Sequence, residues 1–190
     1  MGQIILVTGP ARSGKSEWAE YLAQQTGKSV VYVATATLDP QDREWQQRIA
    51  AHQQRRPASW QTLEVSAELA STLRVTPVSH CLLVDSLGTW LANFLHEEER
   101  QWQAIQTQLL ESLAQTEADS IWVAEETGWG VVPAYPMGRL FRDRLGNLVR
   151  RLSAIAHRVD LVTGGYVLNL SQLGTPLPLW QQSDRSTQSG

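Results

Sequence analysis

The octapeptide GPARSGKS, Gly9 to Ser16, stands directly after the apolar run IILVT and constrains this chain more tightly than any other stretch. It fits G-x-x-x-x-G-K-[ST], and its surroundings fit as well. The run before it suits a strand buried on both faces. The stretch after it, Ser13 to Thr26, is helix-like, with Trp18, Ala19, Leu22 and Ala23 at helical spacing and Gly27 as a stop. Glycines let backbone N–H groups turn inward as an anion nest, and the helix aims its positive end at the same point. Lys15 adds a point charge for the β- and γ-phosphates, and the Ser16 hydroxyl is placed to coordinate Mg²⁺. Lys15 and Lys28 are the only lysines, so one of the two lies inside the loop. The expectation is a phosphate-binding loop that holds a nucleoside triphosphate with Mg²⁺.

Further elements follow in alternation. Ser29–Ala36, Trp60–Val65, Cys81–Val84, Ile121–Ala124, Val159–Val162 and a last run near Val167–Leu170 are strand-like. Pro40–Gln54, Ala67–Leu73, Leu87–Leu95, Gln101–Leu113 and Leu140–Ala156 are helix-like, and Thr127–Met137 is a loop with two glycines and two prolines. Strands alternating with helices imply a mostly parallel central sheet flanked by helices, an α/β fold. We expect one domain over residues 1–170 and a loosely held polar tail over 171–190.

Composition narrows the class. Apolar residues make up 42%, enough for a real core, and the net charge of −3 gives no basic footprint for nucleic acid. A single cysteine, Cys81, allows neither an internal disulfide nor a multi-cysteine metal site. No run approaches the roughly 18 apolar residues of a membrane span, and no basic leader precedes IILVT. The expected setting is cytoplasmic.

Two further places carry chemistry. Asp85 closes the apolar run CLLVD, so it is either a strand-end acid for the metal's water shell or a cap for the next helix. RIAAHQQRRPASWQTLE places His52 beside Arg55 and Arg56, a nucleophile or acid next to anion-binding forks, or else a surface histidine on a polar helix. The other histidines, His80, His96 and His157, show no metal-ligand spacing. Trp60 and Trp129 are packing residues or walls for a flat ligand.

These stretches, in order, resemble the bifunctional adenosylcobinamide kinase / adenosylcobinamide-phosphate guanylyltransferase family. GPARSGKS resembles its G-[GA]-A-R-S-G-K-S. VVYVATA, with Asp42 beyond it, resembles its Y-[IV]-A-T-A strand. The histidine block resembles R-I-x-x-H-x-x-x-R-P-x-x-W-x-T-x-E, ending here at Glu64. LLVDSLGTWLANFL resembles D-C-L-T-x-W-x-x-N, and VAEETGWGVVPAYPMGRLFRDRLG resembles S-N-E-x-G-x-G-x-V-P…R-x-F-R-D-x-x-G. The likeness runs from about Ile4 to Leu170. It implies a three-layer, RecA-like P-loop NTPase fold. It implies an enzyme that phosphorylates the hydroxyl of adenosylcobinamide's aminopropanol arm and then transfers GMP from GTP to that phosphate. The covalent GMP carrier would be His52, with GTP and ATP as substrates, Mg²⁺ as cofactor and a corrinoid as partner. The family also implies a homo-oligomer, often a trimer.

The residues carried over are Gly9, Arg12, Ser13, Gly14, Lys15 and Ser16 in the loop, Arg55, Arg56 and Glu64 in the histidine block, and Asp85 for the metal. Glu126 is a candidate to orient the acceptor hydroxyl or the metal, or an exposed loop acid. Arg139 and Arg142, three residues apart, share a helix face and are candidates for phosphate contacts, or members of a solvated face with Arg150 and Arg151. The chain departs from the pattern at Ser86-Leu87-Gly88, where the family has Cys-Leu-Thr, and at Ala124-Glu125-Glu126, where it has Ser-Asn-Glu. It departs again at Val149-Arg150, in place of Asn-Gln, and at Gly165-Tyr166-Val167-Leu168, in place of G-L-P-L. The lost polar groups bear on the kinase half. Two other readings stay open: a plain P-loop kinase without covalent nucleotide, and a nucleotide-switch module without transfer chemistry.

Overall fold

A computed structural model describes residues 1–37 and 53–177. His52, Asp42 and nearly all of the expected helix Pro40–Gln54 lie outside the described residues.

The strands are β1 (Ile4–Gly9), β2 (Ser29–Ala34), β3 (Gln61–Glu64), β4 (His80–Asp85), β5 (Asp119–Glu125), β6 (Arg158–Thr163) and β7 (Tyr166–Asn169). The helices described are α1 (Lys15–Gln25), α2 (Leu69–Val75), α3 (Leu87–Ala92), α4 (Glu99–Gln115), α5 (Pro136–Ser153) and α6 (Leu170–Leu173). The sheet runs β3-β2-β4-β5-β1-β6-β7, and every pairing is parallel except β6–β7. β5 therefore lies between the phosphate-loop strand β1 and the Asp85 strand β4.

Period-two alternation divides the strand residues between two cores. Ile4, Leu6, Val31, Val33, Leu82, Val84, Trp122 and Ala124 pack with α2, α3, α4 and α5 on one face. Val7, Val30, Tyr32, Cys81, Leu83, Ile121, Val123 and Val162 pack on the other face, where α1 contributes Ala19 and Ala23. Three layers result, as expected.

Element boundaries moved for identifiable reasons. Helix α1 starts at Lys15 rather than Ser13 because Gly14 takes a left-handed φ of 92° as its cap. Helix α5 starts at Pro136, inside the stretch expected to be loop, because proline's fixed φ suits the first helical position. Helix α3 stops at Ala92 rather than Leu95, and the bonds Asn93 N–H to Trp90 and Phe94 N–H to Leu91 tighten the chain beyond it. Ser171, placed in the loose tail, instead sits in α6, where its Oγ accepts the Val159 N–H at 2.8 Å. His157 is structural: its Nδ1 accepts the Ile4 N–H at 3.0 Å. No helix among the described residues is long and apolar enough to cross a membrane.

Candidate active site at the ends of β1, β4 and β5

The phosphate loop takes its shape from two left-handed residues, Gly14 and Arg12, the latter at φ 59°. A non-glycine residue in that region costs on the order of 1 kcal/mol, the kind of strain that collects at functional loops. Gly9 has a different reason from the one the motif suggests. A Cβ there would fall 2.3 Å from the Val162 carbonyl oxygen and 2.7 Å from Ser13 Oγ, so its glycine is required by the approach of β6. Ser13 Oγ is buried and has no hydrogen-bond partner among the described residues, leaving a donor that a phosphate oxygen would satisfy. Lys15 is only 7% exposed, and its Nζ donates to the Pro10 carbonyl at 3.3 Å. An ammonium this deep wants an anion, and the loop offers only that carbonyl. Ser16 follows in the first turn of α1.

Asp85 sits at the end of β4, in register with Ala34 of β2 and Val123 of β5. It is not the helix cap. Ser86 is, with a capping box closed by Thr89. The carboxylate of Asp85 accepts the Tyr32 hydroxyl at 3.1 Å. Burial and the Asp85 charge together push the Tyr32 phenol far upward, so it stays a donor.

The two arginines of the histidine block reach this corner from the other side. Arg56 lies over the Tyr32 ring, 3.2 Å from its centroid. Arg55 pairs with Glu17 at 2.7 Å and Glu20 at 3.6 Å, both on α1. Burial raises the Glu20 carboxyl above its ordinary value, and Arg55 partly offsets it. The segment after His52 is thus anchored on the phosphate-loop helix and, through Tyr32, next to Asp85. Glu64 ends β3 beside Ala34, in the same row as Asp85 and two strands away, which is about 10 Å.

Strand β5 ends in two acids. Glu126 donates its N–H to the Gly9 carbonyl at 2.9 Å and accepts the Thr8 hydroxyl at 2.9 Å, so it is tied to the root of the loop. Glu125 accepts Ser86 Oγ–H and, at 3.0 Å, the Gly88 N–H. Burial raises its carboxyl above the ordinary range, while Ser86 and Lys15 pull it back. The sequence reading did not select Glu125, although a strand ending in two adjacent acids was a signal. Nor did it select Tyr32. Asp160 was also missed. It is fully buried and accepts Trp18 Nε1–H at 2.6 Å and Arg158 Nε–H at 2.9 Å, fixing α1 to β6.

Arg139 and Arg142 lie on α5. Arg139 donates to the Pro133 and Ala134 carbonyls at 3.0 and 2.7 Å. Arg142 donates to Asp143 at 3.1 Å and lines a shallow polar concavity of about 380 Å³ with Gly128, Gly146, Asn147 and Arg150.

Among the described residues no three acids, histidines or cysteines gather as a metal cage. That suits Mg²⁺, which takes one or two protein oxygens and completes its octahedron with phosphates and water. Ser16 and Asp85 are hard oxygen donors on the two sides of β5, and they fit such a role.

The family profile for cobinamide kinase / cobinamide phosphate guanyltransferase matches residues 5–170. The chain is 42% identical over 176 residues to the bifunctional adenosylcobalamin biosynthesis protein CobP of Pseudomonas aeruginosa, covering 92% of this chain and 95% of that one. It is 33% identical over 178 residues to the bifunctional adenosylcobalamin biosynthesis protein CobU of Escherichia coli, covering 85% and 96%. Among solved structures, a Pyrococcus horikoshii protein superposes with a TM-score of 0.55 at 9% identity, over 89% of this chain and 86% of that one, a likeness of fold alone. The sheet order, the phosphate loop and the flanking helices make this a three-layer P-loop α/β fold with a mostly parallel central sheet, and the chain belongs to the cobinamide kinase / cobinamide phosphate guanyltransferase family of enzymes.

Proposed function

We propose that this chain carries out both family reactions in adenosylcobalamin biosynthesis. It phosphorylates the aminopropanol hydroxyl of adenosylcobinamide with a nucleoside triphosphate, ATP or GTP. It then moves GMP from GTP to the new phosphate, releasing pyrophosphate and leaving adenosylcobinamide-GDP. The observation that carries this reading is the family match over residues 5–170, supported by a phosphate loop with a buried Lys15 and by Asp85 at a nearby strand end.

The residues divide the work as follows. The loop amides, Arg12 and Lys15 hold the triphosphate and stabilise charge on the leaving phosphates. Ser16 and Asp85 would hold Mg²⁺, which supplies charge neutralisation on the phosphate oxygens when bound. In the first step the acceptor hydroxyl attacks the γ-phosphorus, the bond to the β–γ bridging oxygen breaks, the nucleoside diphosphate leaves and the hydroxyl proton passes to solvent, with Glu126, tied to the loop root, placed to orient the hydroxyl. In the second step His52 attacks the α-phosphorus of GTP, the bond to pyrophosphate breaks, and the imidazole carries GMP until the corrinoid phosphate displaces it. A neutral imidazole suits this at pH 7, since its ordinary pKa is about 6.5. The docking of Arg55 on α1 and of Arg56 over Tyr32 supports placing the histidine segment beside the loop. The same reading gives a cytoplasmic enzyme that works as a homo-oligomer.

The test is product analysis. Protein with Mg²⁺, GTP and adenosylcobinamide is expected to give adenosylcobinamide phosphate first and adenosylcobinamide-GDP second, with one pyrophosphate per GDP conjugate. Corrinoid left unmodified by protein that binds GTP would contradict the proposal.

A further inference from the structure

Gly88 is the second residue of α3, where a glycine weakens a helix relative to alanine. A packing reason explains it. A Cβ at Gly88 would lie 2.2 Å from Glu125 Oε2 and 2.8 Å from Glu125 Cδ. Those atoms are held where they are. Glu125 accepts the Gly88 N–H on Oε2 and the Ser86 hydroxyl on Oε1. Ser86 Oγ meanwhile accepts the Thr89 N–H as the helix cap, so one hydroxyl serves both sides. The acid and the missing side chain are two halves of one contact, 37 residues apart in sequence.

The contact's position gives it a use. β5 lies between β1 and β4, so a carboxylate at its end stands between the phosphate loop and the turn that follows Asp85. Glu126 ties that end to the loop at Gly9 and Thr8, and Glu125 ties it to Ser86 and Gly88. Two consecutive residues thus fix the two halves of the phosphate-and-metal corner to each other. Both positions, 88 and 125, also depart from the family's motif.

We propose that Glu125 is a positioning residue: its carboxylate pins the turn after Asp85 to the end of β5, sets Asp85 relative to Lys15 and Ser16, and is matched to the glycine at position 88. This rests on the nucleotide reading above.

The experiment compares wild type with Gly88→Ala, Glu125→Ala, Glu125→Gln and the double variant Gly88→Ala/Glu125→Ala. Thermal unfolding without ligand reads the contact alone. Gly88→Ala is expected to unfold about 5 °C lower through overpacking, and the double variant to recover most of that loss. GTP binding by calorimetry across a Mg²⁺ series reads the positioning. Glu125→Ala and the double variant are expected to need about tenfold more Mg²⁺, with GTP affinity in its absence within about twofold of wild type. Glu125→Gln, which keeps the shape and loses one acceptor, falls between. A double variant as unstable as the sum of its parts would overturn the pairing. An unchanged Mg²⁺ requirement in Glu125→Ala would overturn the positioning. Wild-type GTP binding that ignores Mg²⁺ would overturn the nucleotide reading itself, and the unliganded thermal series tells that failure from the loss of the contact.

Discussion

The phosphate-loop corner and the arginine-rich start of α5 carry the same kinds of charge and use them in opposite ways. At the corner, Lys15 is buried, donates to the Pro10 carbonyl and acts on the charge of Glu125, Asp85 accepts the Tyr32 phenol, and Ser13 Oγ has no partner among the described residues. Lys15 Nζ and Ser13 Oγ keep donors that a phosphate would fill. On α5, Arg139 is spent on two carbonyls of its own preceding loop, and Arg142 on its neighbour Asp143. Arg144 is 6% exposed and donates to the Phe94 and Glu97 carbonyls at 3.0 and 2.8 Å, while its buried Nε has no partner among the described residues. It also lies 5.5 Å from the centre of the Trp102 ring. Donors left for an anion mark the loop, and donors bonded to backbone carbonyls tie α5 to its surroundings. Sequence spacing shows both as clusters and cannot tell them apart.

The contrast can be tested in order of expected effect. Lys15→Ala should lower GTP-dependent turnover at least about 100-fold and leave the unfolding temperature the same or higher, because it removes a buried charge. Turnover assays with thermal scans check this, and a folded, active variant would break the comparison. Arg144→Ala should do the reverse. Loss of a buried charged donor to two carbonyls is expected to destabilise the fold by about 2–3 kcal/mol in denaturant melts, with GTP affinity unchanged. Arg139→Ala should cost about 1 kcal/mol and speed proteolysis between residues 127 and 135. A large loss of GTP affinity there would place Arg139 at the phosphate site. Cys81 sharpens the picture at the small end. Burial pushes its thiol up to about 12, so at pH 8 the thiolate is about one part in ten thousand. Alkylation should be undetectable in the native protein and complete on unfolding, and rising pH should change this little until it approaches that value.

Legibility followed range along the chain. The phosphate loop was legible because its parts are local: a strand, left-handed turn residues, a lysine and a helix start. Asp85 was legible as a strand-end acid, and the alternative of a helix cap failed because Ser86, one residue on, had the better hydroxyl and a Thr89 to close the box. Glu125 was not legible, since its partners come from α3 and only the folded sheet sets β5 beside β4. Gly9 shows a subtler limit. The motif explains it by loop flexibility, but the carbonyl that excludes a side chain belongs to β6, more than 150 residues away.

The central claim is that GMP passes through His52, and one measurement reaches it directly. The protein is incubated with Mg²⁺ and α-labelled GTP, denatured, and examined for bound label that is acid-labile and alkali-stable. The account predicts such label in wild type and none in His52→Ala, with equal GTP binding by both. Label that persists in His52→Ala, or no label on folded wild type that binds GTP, would contradict it.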